Sequence, residues 1–265
     1  MKKGWKIFAI VCSSMAGVGL ILCIAGFTMG VTREDFGIYR NQEEFYYDDP
    51  EEGQEYVMAS KEFDNVKSLD VDVQWVSLSI EQYDGAKIKV ESDMEEPFQS
   101  YIEENELHIA TSKGHRDNLE RSITIYVPRT MELQEASIQV GKGELFIDGI
   151  KANDLELTVG AGRAEVSQFQ SNQFSITVGA GEADVTGSVA SEVDGECGVG
   201  TLNLTLSGTK QEYNYEIECG LGEIRIEEEE YSGISDKKVN NQGMKNIDLT
   251  CGLGTVSVDF DTQQK

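Results

Sequence analysis

The tripeptide G-x-G recurs six times in the second half of this chain, at 141–143, 160–162, 179–181, 198–200, 220–222 and 252–254. The first glycines are 19, 19, 19, 22 and 32 residues apart. Apolar residues keep fixed places around each pair. Ala136, Ile138 and Val140 precede the first and Leu145 and Ile147 follow it; Leu155, Leu157, Val159, Ala164 and Val166 hold the same places in the second. An earlier stretch, LDVDVQWVSLSI, fits this frame without glycines, giving seven units in all. Alternation with a period of two means strands with one face buried and one wet. The buried parity changes across each G-x-G, so the chain turns a corner there, where glycine allows positive φ or close backbone approach. Units of near-constant length running in one direction predict an all-β fold, a parallel β-solenoid (β-helix) of about seven coils, each stacked on the one before. At ~4.8 Å per coil the stack would be roughly 34 Å long. Departures from the period are expected as loops at Ser207–Gln211 and within EEEEYSGISDKKVNNQGMK. The runs AKIKV, ELHIA and SITIYVP are expected to form a sheet-like cap or irregular early coils.

The first 60 residues have another character. Ile7 to Met29 is uncharged and mostly apolar, long enough as a helix to cross a bilayer core and preceded by Lys2, Lys3 and Lys6. The apolar run exceeds the ~7–15 residues of a cleavable signal core, and no small-residue cleavage motif follows it, which favours an uncleaved anchor. Lysines on the short side place the N-terminus in the cytoplasm and the bulk of the chain outside. Cys23 follows Leu20, Ile21 and Leu22, so no small residue precedes it as a lipidation site would require. Residues 31–60, rich in acids and aromatics without period, read as a juxtamembrane linker. The expected organisation is a tip and transmembrane anchor at 1–30, a linker at 31–60 and an extracytoplasmic repeat domain at 61–265.

These features are similar to a known family. The N-terminal anchor, SITIYVP running into β-G-x-G-β units, and endings such as VGAGEADVTG and CGLGTVSVDF resemble the bacterial "putative adhesin" family of domains of unknown function, including its Lia-operon-type members, over about residues 60–260. The resemblance implies a β-solenoid exposed outside a Gram-positive-like membrane. It brings no catalytic residues, so no site is carried over.

Charge and motifs narrow the chemistry. With 48 acidic and 22 basic residues the net charge is −26, which repels nucleic acid in the absence of a basic cluster. GAGRAE and GAGEAD lack the third small residue of a dinucleotide fingerprint. His108 and His115 stand outside the repeats and read as surface histidines, and no C-x-x-C occurs to hold zinc. Cys197, Cys219 and Cys251 occupy an inward place that is valine in earlier units. That favours reduced core thiols, although neighbouring coils in an oxidising compartment could be bridged.

Asp194, Glu216 and Asp248 share an outward place in three successive units, with Glu196 and Glu218 two residues further on. Sequential stacking would make them a carboxylate column at ~5 Å spacing, whose repulsion calcium or a cationic partner would relieve, against salt screening of a solvated face. No other cofactor is expected. Two functions follow: a non-enzymatic binding or scaffold module of the cell envelope, meeting envelope polymers, cationic peptides or a membrane protein, or a β-helix enzyme acting on an envelope or extracellular polysaccharide.

Overall fold

A computed structural model describes residues 59–93, 98–111 and 121–262. The predicted transmembrane segment, most of the linker, Cys12, Cys23 and His115 lie outside these residues. Residues 55–265 form one compact unit, and its first strand starts at Ala59, just inside the predicted linker.

The described residues are all-β apart from a single 3-10 turn at Lys210–Glu212. In chain order the strands are β1 (Ala59–Phe63), β2 (Ser68–Val73), β3 (Val76–Tyr83), β4 (Ile88–Ser92), β5 (Phe98–Glu103), β6 (Glu106–Thr111), β7 (Ser122–Pro128), β8 (Leu133–Val140), β9 (Gly143–Val159), β10 (Arg163–Val178), β11 (Glu182–Cys197), β12 (Thr201–Ser207), β13 (Tyr213–Cys219), β14 (Glu223–Ile226), β15 (Glu229–Ser232), β16 (Ser235–Val239), β17 (Lys245–Cys251) and β18 (Thr255–Asp261).

Each coil runs up to a corner in one array of strands and away from it in another. The strands before the corner pair in the order β5, β6, β2, β8, β9, β10, β11, β17, β13, β16. Those after it pair in the order β1, β4, β7, β3, β9, β10, β11, β12, β18, β14, β15. Strands β9 to β11 are long enough to belong to both; β9 and β10 slip by one in burial parity near Gly149–Ile150 and Gln168–Phe169, whereas β11 keeps its parity and takes up the difference as register shifts against β10. Pairing is parallel throughout the middle and antiparallel only at the ends, where β5, β4, β16 and β15 lie against the outermost coils.

All inward places named from the repeat are buried in one core cluster, from Leu155, Leu157 and Val159 to Ile247, Leu249 and Cys251. Each fully buried Leu, Ile or Val contributes ~1.5–3 kcal/mol relative to exposure, so the aligned rows supply most of the stabilising burial. At the corner, the reason for glycine is closeness more than backbone sign. Only Gly143 among the G-x-G glycines has a left-handed φ, at 148°. A Cβ added at Gly162 would stand 1.9 Å from the carbonyl oxygen of Gly143, and one at Gly200 would stand 2.0 Å from that of Gly181.

Two expectations are overturned. The coils are not stacked in sequence order: β17 and β18 insert between the β11–β12 coil and the β13–β14 coil, and β2 and β3 lie between β6–β7 and β8–β9. The long acidic insertion is not a loop, because it supplies β15 and β16, which fold back antiparallel on β14 and β13. With those strands on the outer edge, β17 and β18 have their parallel partners on the inner side. The early runs also resolve, ELHIA and SITIYVP as parallel β6 and β7, and AKIKV contributing to antiparallel β4.

Cysteine pairing reads the coil order directly. Cys251 is in register with both Cys197 and Cys219, which are thereby two strands apart, ~10 Å, beyond disulfide reach. All three are free thiols in this structure, and burial pushes those of Cys197 and Cys219 up. Oxidation near the melting temperature followed by peptide mapping is expected to yield Cys197–Cys251 or Cys219–Cys251 links. A Cys197–Cys219 link would restore the sequential stack.

Candidate functional site

One register line crosses the first array on its outward face. It starts at His108 and Asp70, passes Ser137, Glu156 and Ser175, and ends Asp194, Asp248, Glu216, Lys238. Strand alternation puts these side chains in solvent, and parallel register sets them ~4.8 Å apart. The predicted carboxylates Asp194, Asp248 and Glu216 are therefore brought together, but with Asp248 at the centre. Glu196 and Glu218 are not: the inserted strand places Thr250 between them.

Glu192 was missed. It stands two residues before Asp194 on β11, on the same face, and one carboxylate oxygen from each of Glu192, Asp194 and Asp248 lies within 4.8 Å of the others. Following the outward parity one step further along the unit would have found it.

Among the described residues, the nitrogen side chains that pair with carboxylates of this line stand at its two ends. Lys238, on antiparallel β16, makes a close ion pair with Glu216. At the far end His108 Nδ1 is 2.8 Å from Asp70 Oδ2 and its Nε2 is 3.3 Å from Glu106 Oε2, while the ring stacks on Tyr101 at 4.9 Å. His108 is thus a partnered, half-buried residue and not the free surface histidine expected. Asp194 has a weaker neighbour, the Ser175 hydroxyl, which donates to its Oδ2 at 3.5 Å. Beside the acids is a shallow trough of about 170 Å³, lined by Ser175, Thr177, Asp194, Glu196, Asp248 and Thr250.

Asp248 bears the cost of this arrangement. Its carboxyl is held above the usual range, first because neighbouring groups displace water and then because Glu216, Asp194 and Glu192 are negative; Lys238 offsets this only in part. The site can therefore accept positive charge, but it offers no nucleophile paired to a base.

The family model described as Toastrack DUF4097 matches the chain twice, over residues 66–196 and 129–259. The chain belongs to the Toastrack DUF4097 family. Two overlapping matches are what a repeat produces when the Toastrack pattern fits in more than one register. Among solved structures, a "putative cell adhesion protein" from Clostridium sporogenes is 14% identical, with 77% of this chain and 99% of that chain covered and a TM-score of 0.45. A "putative adhesin" from Bacteroides fragilis is 10% identical, with 77% and 98% covered and a TM-score of 0.33. No curated protein matches this Toastrack chain in sequence.

The raised Asp248 value has a consequence for stability. The folded state holds this proton more tightly than the unfolded chain does, so the contribution is complete below the ordinary Asp value and is lost as pH rises through the raised one. Asp248→Asn is expected to melt above the parent at pH 7, with the difference closing as the pH is lowered through that window. A difference that stays constant with pH would place the strain elsewhere.

Proposed function

We propose that this protein is a non-enzymatic binding or scaffold module of the cell envelope, tethered by residues 7–29 with its repeat domain on the outer side. A single observation carries the binding part: three neighbouring carboxylates, Asp194, Asp248 and Glu216, share one cation among the described residues, with Glu192 converging on the first two. Like charges in adjacent strands destabilise, and a ligand that neutralises them is favoured by the amount the fold gives up in holding them. Hard divalent cations suit clustered carboxylate oxygens, calcium above all because it accepts irregular coordination. A cation held there would retain open positions for a second ligand, which is how an acidic face can carry an anionic envelope polymer. A cationic group of a partner would serve in its place. The trough is too small to engulf an organic ligand, since such pockets run to ~300–1,000 Å³, so binding is a surface event.

The test is thermal melting of the 55–265 unit in calcium, in magnesium and in sodium chloride at matched ionic strength. Screening alone raises all three equally. A calcium site raises the first beyond the salt control, by ~2.7 kcal/mol at a hundred times its dissociation constant. Combining Asp194→Asn, Asp248→Asn and Glu216→Gln should erase that excess. Equal melting in the three salts would leave the row a solvated face.

Placement is checked separately. Protease added to intact, wall-stripped cells is expected to remove the repeat domain, and protection of that domain would reverse the orientation.

A further inference from the structure

The middle residue of each G-x-G forms a line of its own. At the corner the chain is held coil to coil by backbone hydrogen bonds, with Val199 N donating to Gly179 O at 2.9 Å, Leu253 N to Gly198 O at 2.7 Å and Leu221 N to Gly252 O at 2.8 Å. Val199, Leu253 and Leu221 are 64%, 60% and 73% exposed, and Ile234, in the turn that joins β15 to β16 beside this corner, is 74% exposed. In the other direction the line continues through Ala180 and Ala161 to Lys142, whose ammonium sits 4.1 Å over the exposed Trp75 ring. Glycine on both sides leaves these side chains standing clear of the surface, so the corner is a spine between two smooth troughs. Seven of its eight places are apolar in a chain of charge −26. Contiguous exposed apolar surface of this kind marks an interaction site.

The spine is graded, and the grading is complementary to itself. Its order is Trp75, Lys142, Ala161, Ala180 in one half and Val199, Leu253, Leu221, Ile234 in the other. We propose that two copies of this chain pair through their spines, antiparallel, about a two-fold axis between the Ala180 and Val199 layers. Both spines share the coil period, so the match holds along their whole length of ~34 Å. Antiparallel pairing sets Val199 against Ala180 of the second copy and Leu253 against Ala161, large side chains over small ones. Lys142 faces Leu221 and lies between Glu218 and Glu223, and Trp75 meets Ile234. An isologous contact of this sort needs one surface that complements itself, and it closes at two copies. The charge pattern permits approach at the centre: across the four middle layers, the places flanking the troughs hold five threonines, Arg163, Glu182 and Glu196.

The full chain in detergent micelles is the protein to test. A mixture of the Ala161→Cys and Leu253→Cys variants is expected to form a disulfide between copies, whereas either variant alone should form at least tenfold less. Both variants carry Cys12→Ser and Cys23→Ser, so pairing through residues 1–30 yields no link. Sedimentation should show a dimer that Leu253→Glu weakens at least tenfold at unchanged melting temperature, since the side chain is exposed. Lys142→Glu should weaken it as well, and adding Glu218→Lys and Glu223→Lys should restore it. A preference for like-with-like links, no links at all, or a dimer indifferent to Leu253→Glu would overturn the proposal. So would a monomeric parent whose spine instead binds phosphatidylcholine vesicles in a Leu253-dependent way.

Discussion

The stack rests on how closely successive corners approach. A carbonyl oxygen of one coil lies where the Cβ of the next corner residue would be, 1.9 Å away at Gly162 and 2.0 Å at Gly200. No side chain fits that space, and any that was forced in would push the coils apart at the place where both arrays take their register. Hydrogen bonds from the corner amides then run unbroken from Ala161 to Leu221. The coil that lacks glycine shows what is needed to do without it. Trp75 adopts a φ of 60°, rare for a bulky residue, its amide donates to Lys142 O at 2.7 Å, and its ring is covered by the Lys142 ammonium. The neighbouring Gln74 side chain fills the space above Gly141, where a Cβ would stand 1.9 Å from its oxygen.

A parallel stack has two open ends, and unpaired strand edges invite further chains to add on. Here antiparallel strands lie against both end coils, β5 and β4 at one and β16 and β15 at the other. The capping strands β15 and β16 are short, and the exposed residues of β16 include Asp236, Lys237 and Lys238, charges that discourage growth of the stack. Capping from within the chain explains the order of coils. Strands β15 and β16 follow β14 directly in the chain and take the outer edges of β14 and β13, which leaves the last coil only the inner side. That last coil then fits against strands already separated in sequence by more than thirty residues.

Local chemistry was legible in the sequence because it is periodic. The places counted outward from each glycine pair, from Ala136 to Val258, are all buried, whereas Ile150, Phe169 and Val189, which fill the core at the far bend, lie beyond that count. Stacking order was not legible, because nothing in the period of β17 distinguishes the two sides on which it could pair; the outer side is taken by two capping strands, EEYS and SDKKV, that are too short and too polar to show alternation. The candidate site inherits this division. Asp194, Glu216 and Asp248 were found as members of one row, while their order, the intrusion of Thr250 between Glu196 and Glu218, and the role of Lys238 depend on the inserted coil. Glu192 was within reach of the same counting. The anchor and all but the last two residues of the linker lie outside the described residues.

Coil insertion also decides where the electrostatic strain falls. In a sequential stack Glu216 would be the central acid and Asp248 would face the end. With β17 inside, Glu216 becomes the outer member and gains Lys238 from the capping strand, whereas Asp248 has acids on both sides and a third, Glu192, diagonally across. The group whose carboxyl is pushed up is accordingly Asp248. Topology, rather than composition, has turned an acidic face into one point of concentrated negative charge, and that point lies on the strand that enters the stack out of turn. A cation held by Glu192, Asp194 and Asp248 would tie β17 to β11, so its binding would favour the seating of the last coil.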